Sequence, residues 1–270
     1  MPAAKQGLQS LDLEGRRTVQ SVDRACVILQ VLSREENGST TSELGRQLGV
    51  HKSTASRLLA ALESAGMVER DPLTGRFHLG LRILTMAGNI LSRLEVLRIA
   101  DPLLRRLAEA TQETVNLGIR FGNEVVNIEQ IPGPNILRSF DWIGKSTPLH
   151  RGSLAKALLA HLSHSELEVY LAAVNADGAG LEPDEFWSAM EEIRRRGYAV
   201  NRGELNNEIY AVGAPVFDSH GRCHASLSVA GYCQEFHESR IEELGRQVID
   251  TAATISRQLG HPIGRYAVIA

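Results

Sequence analysis

From Thr40 to Ala65 the chain reads TTSELGRQLGVHKSTASRLLAALESA, and the residue spacing restricts what this stretch can form. Thr40 with Glu43 three residues on is a capping box, in which hydroxyl and carboxylate satisfy the free backbone donors of a helix start. Leu44 and Leu48 share one helical face. Gly49 stops that helix, because it tolerates positive φ. A second helix begins at Lys52, with Ala55, Leu58, Leu59 and Leu62 as its buried stripe. Helix, short glycine-containing turn, helix is the helix-turn-helix arrangement. In it, the start of the second helix meets base edges in the major groove. Here that start carries Lys52, Ser53, Thr54, Ser56 and Arg57, and Thr41 opens the first helix. Ser and Thr let the backbone approach, Arg can grip guanine through two bonds, and helix-start N–H groups can hold a phosphate. An ordinary solvated helix face is the competing reading of the same residues.

The next residues favour nucleic acid. Met67–Arg70 and Arg76–Leu79 predict two short strands around a loop containing Pro72 and Gly75. A hairpin behind a recognition helix is a wing, with Arg70 and Arg76 as its expected phosphate contacts. The formal net charge of −3 excludes binding by bulk basic charge, so contact must come from a local patch. Three cysteines, Cys26, Cys223 and Cys233, form no CxxC pair and suit reduced thiols in the cytoplasm. With no apolar leader and no spanning apolar run, the expected location is cytoplasmic, with no membrane partner.

At 270 residues the chain is long enough for two domains. Residues 1–17 predict a flexible tail, where Arg16 and Arg17 could reach DNA. Residues 18–80 predict a winged helix-turn-helix domain whose first helix is capped by Ser21 and turns Val22, Ala25, Leu29 and Leu32 inward. Residues 81–95 predict a linker helix with Leu84, Ala87, Leu91 and Leu94 in line. One amphipathic stripe fits a dimer contact and a plain packing helix equally well. Residues 96–262 predict an α+β domain, and 263–270 a tail. Its helices are Val96–Thr111, Ser153–Leu162, Ser165–Leu171, Asp184–Arg196 and a long terminal one with Ile241, Leu244, Val248, Ala252, Ile255 and Leu259 in line. Its strands show a period of two. Val115, Leu117 and Ile119 alternate with polar residues, Val126 and Ile128 alternate with Val125, Asn127 and Glu129, and Ile136–Phe140, Val212–Phe217 and Ser226–Ala230 follow.

The chain resembles the IclR family of bacterial transcription regulators from Thr18 to Leu259. The resemblance rests on Ser21–Ala25, Lys52-Ser53-Thr54 with Arg57-Leu58-Leu59, Leu149–Ala157, Arg196-Gly197-Tyr198 and Ala214–Asp218. It implies a winged helix, a linker helix and a GAF-like antiparallel-sheet domain that binds a small organic-acid or aromatic effector. It also implies dimers, or dimers of dimers, on palindromic or repeated double-stranded DNA sites of a catabolic operon, more often as a repressor. The implied effector cavity is lined by Gly152, Ser153 and Leu154, by Asn201, Ile209 and Ala211, and by Ser228 and Ala230. Small and hydroxyl side chains on one face of Ser226–Ala230 leave room for a ligand. A helix start near Ser153 offers N–H groups to a carboxylate. A tight helix–sheet contact needs the same small residues. The sequence departs from the family at Arg151 and Ala155 and has fewer acids in Asn201–Glu208.

An enzyme would need a catalytic constellation, and GxSxG, HExxH, P-loop and strand-to-helix GxGxxG motifs are missing. His161 with His164, and His220 with Cys223 and His224, have spacings a metal can use, but read better as isolated surface or loop histidines. Cys223 and Cys233 read as buried small residues rather than nucleophiles. The expectation is a regulator without enzyme activity, cofactor or metal. A ligand-binding module whose helix-turn-helix serves protein contacts is the alternative.

Overall fold

The computed structural model describes residues 19–133 and 141–262. The expected strand Ile136–Phe140, both tails, and Arg16 and Arg17 lie outside the described residues. The chain divides into two compact units, up to Arg93 and from Leu94.

In the first unit, α1 (Gln20–Leu32), α2 (Thr41–Gln47) and α3 (Lys52–Ser64) precede the hairpin β1 (Val68–Arg70) and β2 (Phe77–Leu79), and α4 (Leu81–Leu91) follows. The capping box forms as expected: Glu43 N–H donates to Thr40 Oγ1, and Thr40 N–H to Glu43 Oε2 at 2.7 Å. Gly49 has φ +63°. The core joins Ile28, Val31, Leu32, Leu44, Leu59, Val68 and Phe77. The expected α1 face holds at Leu32, which is buried, and at Leu29, which packs against the core, but Val22 is exposed and Ile28 and Val31 are buried beside them. Ser21 does not cap α1, which begins one residue earlier, after Val19, without a side-chain cap. Ser39 exchanges both backbone hydrogen bonds with Phe77, tying the loop before α2 to the wing.

The second unit runs α5 (Glu95–Thr111), β3 (Thr114–Phe121), β4 (Glu124–Ile131), β5 (Ser146–Pro148), α6 (Ser153–Leu159), α7 (His164–Ala176), α8 (Pro183–Arg196), β6 (Ala199–Arg202), β7 (Ile209–Phe217), β8 (Cys223–Tyr232) and α9 (Glu238–Gln258). Its six strands form one antiparallel sheet in the order β5-β4-β3-β8-β7-β6. α5 and α9 pack together against the sheet face carrying Val115, Leu117, Leu227, Val229 and Val212, while α6 lies on the other face. Gly213 lets α6 approach, since a Cβ there would stand 2.9 Å from the Ser153 carbonyl carbon, whereas one on Gly118 would stand 2.6 Å from Val125 Cγ2 on β4. Ser226 Oγ donates to the Leu154 carbonyl at 2.9 Å and fixes the helix there.

Cover on both faces changes the expected strand pattern. Thr114 to Gly118 are buried without alternation, and in β4 Val125 and Asn127 are buried while Val126 is only half-buried. A bulge between Leu117 and Gly118 shifts the β3–β4 register. α6 is three residues shorter than expected, and β5 and β6 are short edge strands that the period did not mark. Among the described residues no helix is long and apolar enough to cross a membrane.

Candidate nucleic-acid interface and ligand cavity

α3 presents Lys52, Ser53, Ser56 and Arg57 on an exposed face, with Thr54 half-buried beneath them and Thr41 half-buried at the start of α2. His51 caps α3. Its Nδ1 accepts from Ser53 N–H at 3.3 Å and lies 2.8 Å from the Ser53 hydroxyl. That role was not read from the sequence, although a polar residue just before a helix start is its signal. Buried Gly45 brings the two helices together, since a Cβ there would meet Ala55 Cβ at 3.6 Å and Val50 O at 3.3 Å. From Leu44 to Leu62 the chain carries Arg46, Lys52 and Arg57 and no acid, the local patch that a net charge of −3 makes necessary.

The two wing arginines diverge. Arg70 is exposed, its guanidinium 5.8 Å from the Phe77 ring centre and its Nε 3.4 Å from Gly75 O. Arg76 turns back into the fold. It donates to Asn37 O at 2.9 Å, Gly38 O at 3.0 Å and Glu43 Oε2 at 3.0 Å. Nε and Nη2 of Arg76 are engaged within the fold, so Nη1 is the donor group left to meet the phosphate expected of it. Thr40 backbone and hydroxyl donors, reinforced by Arg76, hold the Glu43 carboxyl below its ordinary pKa.

In the second unit a cavity lies between α6 and the sheet, with about 530 Å³ free of atoms, part of it open to solvent. Gly152, Ser153, Leu154, Asn201, Ile209, Ala211, Ser228 and Ala230 all line it, so every residue anticipated for an effector site is brought to one place. The sequence reading missed Asn116, Asn127, Trp142, Thr147 and Leu205, which also line it. Asn116 and Asn127 alternate with apolar residues in the sequence, and the face they share is the one that α6 covers.

The α6 start is not free. Gly152 N–H donates to Glu204 Oε2 at 2.8 Å, Lys156 Nζ binds the other carboxylate oxygen, and Arg151 donates to the Glu204 carbonyl. Asn201 holds this loop, accepting from Glu204 N–H and donating to Ile209 O. The chain's own carboxylate therefore occupies the first donor that the sequence reading offered to a ligand.

The histidines do not assemble. His161 is not a surface residue. It packs edge-on against Phe217 at 5.1 Å, and burial, aided by Arg194, pushes its pKa down to about 4. His164 stacks on Trp187. Burial raises the Cys223 thiol to about 12, which makes it a poor nucleophile. Among the described residues, no three His, Cys, Asp or Glu side chains are grouped to hold a metal.

Two family models match this chain. One, described as IclR helix-turn-helix domain, covers residues 21–72, and the other, Bacterial transcriptional regulator IclR C-terminal, covers 88–257. Among curated proteins, the chain is 32% identical to HTH-type transcriptional regulator KipR of Bacillus subtilis over 82% of this chain and 90% of that one. It is 31% identical to HTH-type transcriptional repressor AllR of Escherichia coli, over 92% and 94%. A solved IclR transcriptional regulator from Alicyclobacillus acidocaldarius superposes with TM-score 0.77 at 27% identity, covering 90% of this chain and 100% of that one.

Proposed function

The chain belongs to the IclR family of bacterial transcriptional regulators, and from that premise we propose which of its residues read DNA and how a ligand controls them. It is a helix-turn-helix regulator of transcription whose partner is DNA. The observation that carries the assignment of the reading residues is the exposed α3 face, where Lys52, Ser56 and Arg57 have no internal hydrogen-bond or ion-pair partner among the described residues. Arg57 and Ser56 contact base edges, and Lys52, Ser53, Thr54, Thr41 and Arg70 contact phosphates or position the helix.

The protein acts as a cytoplasmic homodimer or homotetramer without enzymatic activity, and represses a catabolic operon until a small organic acid or aromatic compound enters the α6–sheet cavity. Support for self-association comes from α4, where Leu81, Leu84 and Ile90 are 75%, 69% and 61% exposed and no residue is buried. Two heads at a fixed spacing match repeated half-sites. A ligand controls them only through different affinities for the DNA-competent and released arrangements.

The test is a titration against DNA from upstream of the protein's own gene, with shuffled DNA as control, at several salt concentrations. The expected result is preference for the genomic fragment and a log–log salt slope of about −0.9 per phosphate neutralised. Equal weak binding to both would remove specific readout from α3.

A further inference from the structure

Two asparagines on the cavity wall carry side-chain oxygens with no hydrogen-bond partner among the described residues. Asn116 and Asn127 are each 5% exposed, both line the cavity, and the Oδ1 of each is buried without a hydrogen-bond partner. Their placement follows from the sheet. Asn116 on β3 stands opposite Ser228 on β8, and Asn127 on β4 stands opposite Gly118, two residues along β3 from Asn116. Gly118 puts no side chain between them. A buried amide without a partner costs free energy, so two side by side on one cavity wall are positioned for a group that arrives from outside.

The charges restrict what that group is. Among the described residues that line the cavity, the only formally charged one is Arg151, which is exposed. Lys156 is held by Glu204 and the Val200 carbonyl. A carboxylate at Asn116 and Asn127 would lose its water with no cation beside it among the described residues. An amide side chain offers an N–H donor and a carbonyl acceptor, so its complement is an uncharged group that both donates and accepts. Size adds a limit, since about 530 Å³ between α6 and the sheet is free of atoms and part of that is open to solvent.

From these observations, and resting on the reading of this cavity as the effector site, we infer that Asn116 and Asn127 bind the uncharged carboxamide or ureido end of a short acid whose carboxylate faces Arg151. The effector is then bipolar, and the twin asparagines select it against simple acids of the same length.

Isothermal titration calorimetry of the full chain with succinamate, succinate and valerate tests this. The three share one carboxylate and differ at the far end, which is respectively an amide, a second carboxylate and a methyl. Succinamate is expected to bind at least about tenfold more tightly than the other two. Asn116→Leu and Asn127→Leu are each expected to erase that preference and, by removing an unpaired buried amide, to raise the Tm of the ligand-free protein by about 2–4 °C. Asn116→Ser and Asn127→Ser serve the same comparison if leucine does not fit. Succinate or valerate binding as well as succinamate, preference retained in the variants, or no binding by any probe at millimolar concentration would each overturn the inference. The DNA titration of the unmodified chain is read separately, so failure of DNA recognition and failure of the amide preference are distinguishable.

Discussion

Arg57 and Arg76 lie 19 positions apart and face opposite duties. Arg57 is exposed without an internal partner, and Arg76 joins the wing to the α2 cap. Arg57→Ala is expected to cost about 1–3 kcal/mol at the cognate site and to relax base preference, with the Tm unchanged. Arg76→Ala is expected to lower the Tm of the N-terminal unit, since it removes the donors to Gly38 O and Glu43 that tie the wing to α2. Competitive DNA binding and thermal denaturation, run on both variants, separate the two roles. Glu113 poses a different question. It is 4% exposed, and burial, opposed by Arg240 and aided by Glu235, raises its pKa from 4.5 to about 7. The folded chain therefore keeps a proton that the unfolded chain releases near pH 4.5. Stability is expected to fall as pH rises from about 4.5 to about 7 and to level off above that. Glu113→Gln removes this decline and leaves the variant more stable than the parent above pH 7, by up to about 3 kcal/mol. Urea midpoints on either side of the window measure it.

At the scale of elements, the placement of α6 decides the cavity. Gly213→Ala would bring a methyl within 2.9 Å of α6 backbone, so it is expected to push the helix away and cost about 1–3 kcal/mol. The same change at exposed Gly88, which has nothing within 4 Å and no positive φ, controls for the loss of glycine itself in unfolding experiments. Several helices were legible from the sequence because they have a buried stripe and clear punctuation: Thr40 and Glu43 at the start of α2, Gly197 with φ +82° at the end of α8. The sheet was legible only in part. A strand covered on both faces has no alternation to read, which is why in β4 the expected Ile128 is buried but so are Val125 and Asn127, while Val126 is only half-buried. Edge strands of three and four residues are too short to show a period. The eight cavity residues came from family resemblance joined to the small-residue face of β8. The orphaned amides needed the fold, because only packing reveals that a polar group has lost its water.

At the scale of the whole molecule, α4 carries an exposed apolar surface, with Leu81, Leu84 and Ile90 uncovered and none of its residues buried. Leu84→Asp is expected to shift the protein toward monomer in light scattering. It is also expected to weaken operator binding more than binding to a half-site, because two heads linked at a fixed spacing gain effective concentration. Equal loss on both DNAs would place the dimer contact elsewhere. A last consequence concerns the duplex rather than the protein. One carboxylate, Glu43, closes the cap of α2 and anchors Arg76 of the wing. Wing and helix pair therefore reach DNA as a single template whose parts do not adjust separately. A groove of the wrong width has to bend or narrow to meet it, and that elastic cost differs between base steps. Operators would then be ranked partly by the stiffness of base pairs that no side chain touches.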